Sequence, residues 1–186
     1  ADRDRDGGYA LAPISRVRET PYTVRHNVDA SHERDLWLAA VRAERESPAG
    51  TLLSISSITD WSNRDMYDED FSPADLLRLD DRDALQSVSQ EFRWSARDDG
   101  SAWRWMGGLF LSAAERSDRD VRTFGPDAGL IGAPSGLAED SRLDLDQRTA
   151  ALYGQLRWKP VEAVRLSAGL RYERQEQEAE GRTRRT

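Results

Sequence analysis

The chain has 186 residues, 38% hydrophobic and 33% charged, with a formal net charge of -7. Its basic residues are interleaved with acids instead of clustered, which argues against a nucleic-acid partner. It has no cysteine, so disulfides and thiolate metal sites are excluded, and no apolar run reaches the ~18 residues of a membrane helix, a limit that leaves alternating membrane strands open.

Residues 1–33 open with "ADRDRDGGYA", which is not a signal peptide, and read as the tail of a polar loop. Asp2, Asp4, Asp6 and Gly7 fit the first half of a calcium loop, but Pro13 stands where the bidentate Glu is required, so an EF-hand is set aside. His26 and His32 have no second ligand at metal spacing and read as loop histidines.

From residue 34 onward, six segments alternate at period two: 34–44, 51–61, 87–96, 102–113, 149–158 and 164–173. Each is about ten residues long, above the usual globular strand and matching a tilted strand that crosses a bilayer. Compact turn chemistry joins them in pairs: "SPAG" at 47–50, "RDDG" at 97–100 and "KPVEA" at 159–163. Long polar spans, 62–86 and 114–148, separate the pairs and read as loops. Short turns at one end and long loops at the other is the asymmetry of an outer-membrane barrel. Within 62–86, Asp65, Asp68, Glu69 and Asp70 could hold a divalent ion, although a solvated acidic loop is the commoner meaning of such a cluster. Gly107–Gly108 interrupts a strand and suggests a bulge or bend.

Parity assigns the faces. Phe92, Trp94 and Ala96 share one side, as do Trp103, Trp105, Gly107, Leu109 and Leu111, and then Val164, Leu166, Ala168, Leu170 and Tyr172. Opposite them lie Ser89, Glu91, Arg93 and Ser95, and Arg165, Ser167, Gly169, Arg171 and Glu173. The charged side fits a wet lumen and the apolar side fits lipid. The segment 51–61 is too mild in character for its faces to be assigned. Counted from its own turn, each aromatic falls at one of two levels: Trp94, Trp103 and Trp158 near, with Trp105 slightly inside them, and Trp37, Trp61 and Tyr172 far. The levels differ by roughly 8 residues, or about 20 Å along a barrel axis, as two interfacial girdles require.

These segments resemble a family. "LQSVSQEFRWSA" followed by "AWRWMGGLFLS", "RTAALYGQLRWKPVEAVRLSAGLRYERQ" and "LLSISSITDWSNRDMYDEDFSPADLL" are similar to strand pairs of TonB-dependent outer-membrane receptors, over roughly residues 33–178. The resemblance implies an all-β fold of antiparallel up-and-down strands, six of them here, from a transmembrane barrel with long extracellular loops and short periplasmic turns. It divides the chain into an extracellular loop tail (1–33), three barrel hairpins (34–173) and the start of another loop (174–186). Such receptors sit in the outer membrane of Gram-negative bacteria and import a scarce ligand, commonly a ferric siderophore. They are driven by TonB, ExbB and ExbD acting on a plug that is not recognisable in this sequence, nor is a TonB box. Six strands fall short of the eight of the smallest closed barrels, so a portion of a larger barrel is expected.

On that reading the partners are outer-membrane lipid and a small ligand such as an iron chelate, and no catalytic residue, cofactor or bound metal is expected. Tyr67, Phe71 and Phe124 in the loops, with Arg171 and Glu173 at the outer end of the lumen, are the candidate ligand contacts, because aromatic and charged groups at a barrel mouth suit a chelate. A soluble β-sandwich with the tryptophans in its core is the competing fold, and it would require shorter strands and loops. A barrel enzyme would need a Ser/His or Asp/His constellation for which no candidate exists.

Overall fold

A computed structural model describes residues 2–4, 26–97 and 100–186. Its elements are β1 (Asp2–Asp4), β2 (Ser31–Ser47), β3 (Gly50–Asp68), β4 (Leu77–Ser95), β5 (Trp103–Phe124), a 3-10 helix (Pro126–Ile131), β6 (Ala138–Val161) and β7 (Val164–Arg185). All the strands lie in one sheet in the order β1-β2-β3-β4-β5-β6-β7, each antiparallel to its neighbour. This is an up-and-down meander without crossovers. No second sheet packs on it among the described residues, so the sandwich alternative fails. Asp2 and Asp4 of the calcium-like stretch fall in β1, and Asp6, Gly7 and Pro13 lie outside the described residues.

The strands are much longer than the alternation suggested. From β2 to β7 they run 17, 19, 19, 22, 24 and 22 residues. The spans 62–86 and 114–148 are therefore mostly strand, and the connections shrink to 69–76 and 125–137. Residues 174–185 likewise continue β7. Beyond the band where one face is apolar, water reaches both faces and hydrophobic alternation has nothing to encode. Ladder hydrogen bonds and cross-strand charge pairs carry the pairing instead.

Register settles the faces. Leu52, Ser54, Ser56 and Ile58 lie opposite Trp94, Phe92, Gln90 and Val88 on the side of Leu109, Leu111, Leu152, Leu170 and Tyr172. Leu53, Ile55, Ser57 and Thr59 share the wet side with Glu91, Arg93 and Arg171. Serine and glutamine at the centre of the apolar side satisfy one another: the Ser56 hydroxyl donates to Gln90 Oε1, and Gln90 Nε2 donates to Ser54 Oγ at 2.9 Å. Gly107–Gly108 marks no bulge, since both glycines keep regular register with β4 and β6. The irregularity lies instead between Trp158 and Val161, at the β6–β7 turn.

The register row through Gly107 also shows that the turns are staggered. In that row Leu52 is two residues from the turn-flanking Gly50, whereas Gly154 is seven residues from the turn-flanking Val161. Rows that climb relative to the turns are what strand tilt and shear produce in a barrel wall.

Candidate functional site

The wet face carries two polar clusters. The first lies within the turn-proximal half of the strands. Tyr153 donates its hydroxyl hydrogen to Glu91, Arg93 Nη2 donates to Glu91 Oε1 at 2.8 Å, and Arg93 Nε reaches the Tyr153 oxygen at 3.4 Å. The Arg171 guanidinium lies 5.9 Å from the ring centroids of both Phe110 and Tyr153, and it donates to Glu173 Oε2 at 2.5 and 2.9 Å. Gly108 makes room for this group: a Cβ there would collide with the Tyr153 ring. The cluster is thus a set of charges each already held by a partner, fixed between aromatic faces.

The second cluster stands above the apolar band, at the end far from the tight turns. Successive register rows place His32, Asp65, Asp81 and Asp120 side by side, and then Arg34, Asn63, Asp83 and Asp118. Burial, a hydrogen bond to Asp120 and the nearby charges of Asp83, Asp120 and Asp65 push the Asp81 carboxyl up to about 6. Asp83 is raised in the same way, by burial and its hydrogen bond to Asp118, with Arg116 opposing. Asp81 and Asp83 therefore hold their protons to higher pH than isolated carboxyls do. Tyr67, one row further out, has its hydroxyl pKa raised by burial and by the charges of Glu69, Asp81, Asp120 and Asp65. On the opposite face Asp80 is held well below the usual carboxylate range by hydrogen bonds from Arg82 (3.0 and 3.1 Å) and Arg64 (2.7 and 3.2 Å).

The two connections at this end dock on each other. Asp75 N donates to Asp127 Oδ2 at 3.0 Å, Asp127 N to the Asp75 carbonyl at 3.0 Å, and Gly125 N to the Leu76 carbonyl at 3.0 Å. The Asp65–Asp70 run is divided among separate tasks. Asp65 meets His32; Asp68 Oδ1 accepts from the Asp70 and Phe71 amides at 3.0 and 3.1 Å; Asp70 accepts from Ser72 and from Leu77 N; Glu69 pairs with Arg122 at 3.1 Å. Asx-type turns and ion pairs occupy these carboxylates except for the buried Asp68 Oδ2, which has no hydrogen-bond partner, and no group of three or more metal-ligating side chains forms among the described residues.

Tyr67 and Phe124 both lie on the wet face at the far end, with β4 between them, and Phe71 sits in the 69–76 connection, its ring 6.2 Å from that of His26 and its φ at 54°. Arg171 and Glu173 are displaced from their expected place. They are seven and nine residues past the turn-flanking Val164 of a strand that continues to Arg185, so they belong to the turn-proximal half, not the outer end. The apparent end of β7 at residue 173 was the end of its apolar alternation only.

Of the girdle candidates, Trp37, Trp94, Trp103, Trp158 and Tyr172 share the apolar face. Trp103 stacks on Trp158 at 4.9 Å and 8°, and Trp94 meets Trp105 edge-on at 5.3 Å. Trp61 is the exception: it is paired with Leu36 and Leu85 on the wet face, at odd parity to Ile58. Distance from the turn gives a residue's height but not its face, and in the mild segment 51–61 parity was the missing information.

An antiparallel meander of tilted strands with an aromatic-rimmed apolar side, a charged inner side and tight turns at one end defines the wall of an outer-membrane-type β-barrel. The chain matches the family model described as TonB dependent receptor-like, beta-barrel, over residues 1–186, and it belongs to that family. The family comprises receptors for TonB-dependent transport of small ligands at the outer membrane, not enzymes.

Proposed function

We propose that the protein imports a ferric siderophore across the outer membrane, energised by TonB, ExbB and ExbD acting through a plug. Its membership of the receptor family carries this reading. The far end of the lumen face supports it with an aromatic and polar mouth in which Tyr67, Phe71 and Phe124 are the proposed ligand contacts and Asp81 and Asp120 lie below them. Arg171 and Glu173 would meet the ligand later, deeper in the lumen. Carboxyl pairs at the mouth repel a polyanionic chelate, so a neutral or cationic ferric complex, such as a hydroxamate, fits better. The apolar face contacts lipid, and Trp37, Trp94, Trp103, Trp158 and Tyr172 anchor it at the two interfaces.

The test is uptake of radioactive iron by iron-starved cells with and without the gene, supplied as a ferric hydroxamate or as a ferric catecholate. Gene-dependent uptake of the hydroxamate is expected, reduced several-fold by Tyr67→Ala. Iron uptake that is unchanged on deletion with every chelate, alongside normal insertion of the protein in the membrane, would rule out the iron reading while leaving the receptor class intact.

A further inference from the structure

Gly107 and Gly154 face each other as register partners on the apolar side of β5 and β6. Nothing in the backbone demands glycine at either site. Neither has a positive φ, and a Cβ would meet only Tyr153 O at 3.7 Å and Met106 O at 3.6 Å, both ordinary contacts. Gly108 differs, because the Tyr153 ring fills the space its side chain would take. Glycine weakens a strand interior, and where no bulge or bend accounts for it, it often marks close approach by a ligand or another backbone. Here two of them, side by side, remove two side chains from a surface otherwise made of large apolar residues.

The result is a groove of about 850 Å³ floored by Gly107 and Gly154, with Trp94, Trp105, Leu170 and Tyr172 among its walls. That volume falls within the roughly 300–1,000 Å³ typical of small-molecule sites. Its walls are aromatic and aliphatic, so it offers dispersion contacts and little hydrogen bonding. Beyond the groove toward the turns stands the stacked Trp103–Trp158 pair, four residues along the strand from each glycine. Indole stacks of this kind sit at the headgroup level of a bilayer. Lys159 follows Trp158 directly in the turn region, exposed and able to reach a phosphate.

We infer that this groove binds one acyl chain of a phospholipid of the periplasmic leaflet, with its headgroup at the Trp103–Trp158 stack. The groove is continuous with the lipid-facing surface of the barrel family, lies toward the side of the tight periplasmic turns, and is floored where the two glycines leave side chains out. A phospholipid held there covers the half-buried Gly107–Gly154 backbone and lies between β4 and β7 on the apolar side. The inference rests on the outer-membrane placement of the protein and is independent of which ligand it imports.

Native mass spectrometry of the protein extracted from outer membranes tests it, with palmitoyl-oleoyl phosphatidylethanolamine as the added probe. One phospholipid per protein is expected to survive detergent washing that strips the others. Gly107→Leu with Gly154→Leu should cut that retained fraction at least tenfold, and the milder pair Gly107→Ala with Gly154→Ala should cut it less. Ala39→Leu, on the same face but away from the groove, should leave it unchanged. A heat-dependent gel shift reports folding of each variant separately from lipid retention, so loss of the barrel and loss of the site are distinguishable. Absence of a retained phospholipid in the wild type overturns the inference, as does retention of lipopolysaccharide in its place, or equal retention in every folded variant.

Discussion

Gly108 illustrates how one atom sets the inner surface. With no Cβ it lets the Tyr153 ring lie across β5, where its hydroxyl reaches Glu91 and its face supports Arg171. Gly108→Ala would drive a methyl into that ring and displace the hydroxyl, with an expected loss of about 1–3 kcal/mol, the usual cost of overpacking. The denaturant midpoint of the detergent-solubilised protein should fall, and Tyr153→Leu in the same background should recover part of the loss, since the obstructing ring is gone. Equal midpoints for the wild type and Gly108→Ala would mean that the ring does not rest there. The sequence displayed the glycine pair but not its two meanings. Contact with Tyr153 spans 45 positions along the chain and depends on register, which alternation alone does not supply.

At the scale of the element, the strands divide into a lower half written in hydrophobicity and an upper half written in charge. The lower half was legible because lipid on one side and water on the other impose period two. The upper half, beyond the row of Trp37, Asp60, Gln86, Glu115, Asp146 and Glu178, was not, because both of its faces are wet. Its stability depends on cross-strand partners and is therefore sensitive to pH. Asp81 has a folded pKa of about 6, above its ordinary value of 3.8, and Asp83 is shifted in the same direction. The folded state then binds more protons than the unfolded state between those values, so this contribution is complete below about pH 4 and is lost as pH rises through about 6. Asp80 has the opposite shift, and its contribution is lost only in strong acid, below that window. Hydrogen-exchange protection at the outer ends of β4 and β5 should consequently increase as pH falls from 7 to 5, after correction for intrinsic exchange. Asp81→Asn should remove most of this dependence, and a protection profile flat over that range would contradict the packing of Asp81 against Asp120. The docked connections add a second prediction at this scale. Asp127→Ala removes the acceptor for Asp75 N and part of the stitch between 69–76 and 125–137, so limited proteolysis should cut within 125–137 faster than in the wild type.

For the whole molecule, the decisive property is which side of the sheet meets lipid. Large apolar side chains stay exposed on the apolar face, from Trp158 at 37% to Leu170 at 81%, which in water would be an aggregation hazard and in a bilayer is the hydrophobic match. The tryptophans provide a readout that separates the two faces at similar height: Trp37 and Trp61 are both far from their turn, yet they lie on opposite sides of the sheet. In single-tryptophan variants reconstituted into liposomes, brominated phospholipid chains should quench Trp37 and Trp103 strongly and leave Trp61 nearly unquenched, because the barrel wall separates it from the acyl region. A water-soluble quencher of lumen-permeant size should discriminate the other way. If brominated lipid quenches Trp61 as strongly as Trp37, the assignment of wet and lipid faces fails, and with it the placing of the carboxyl rows at the mouth of a lumen. If Trp61 alone escapes, the parity in the mild strand β3 is fixed by experiment, and Leu36, Leu85 and Trp61 become an apolar patch on the inner wall just below the acidic rows.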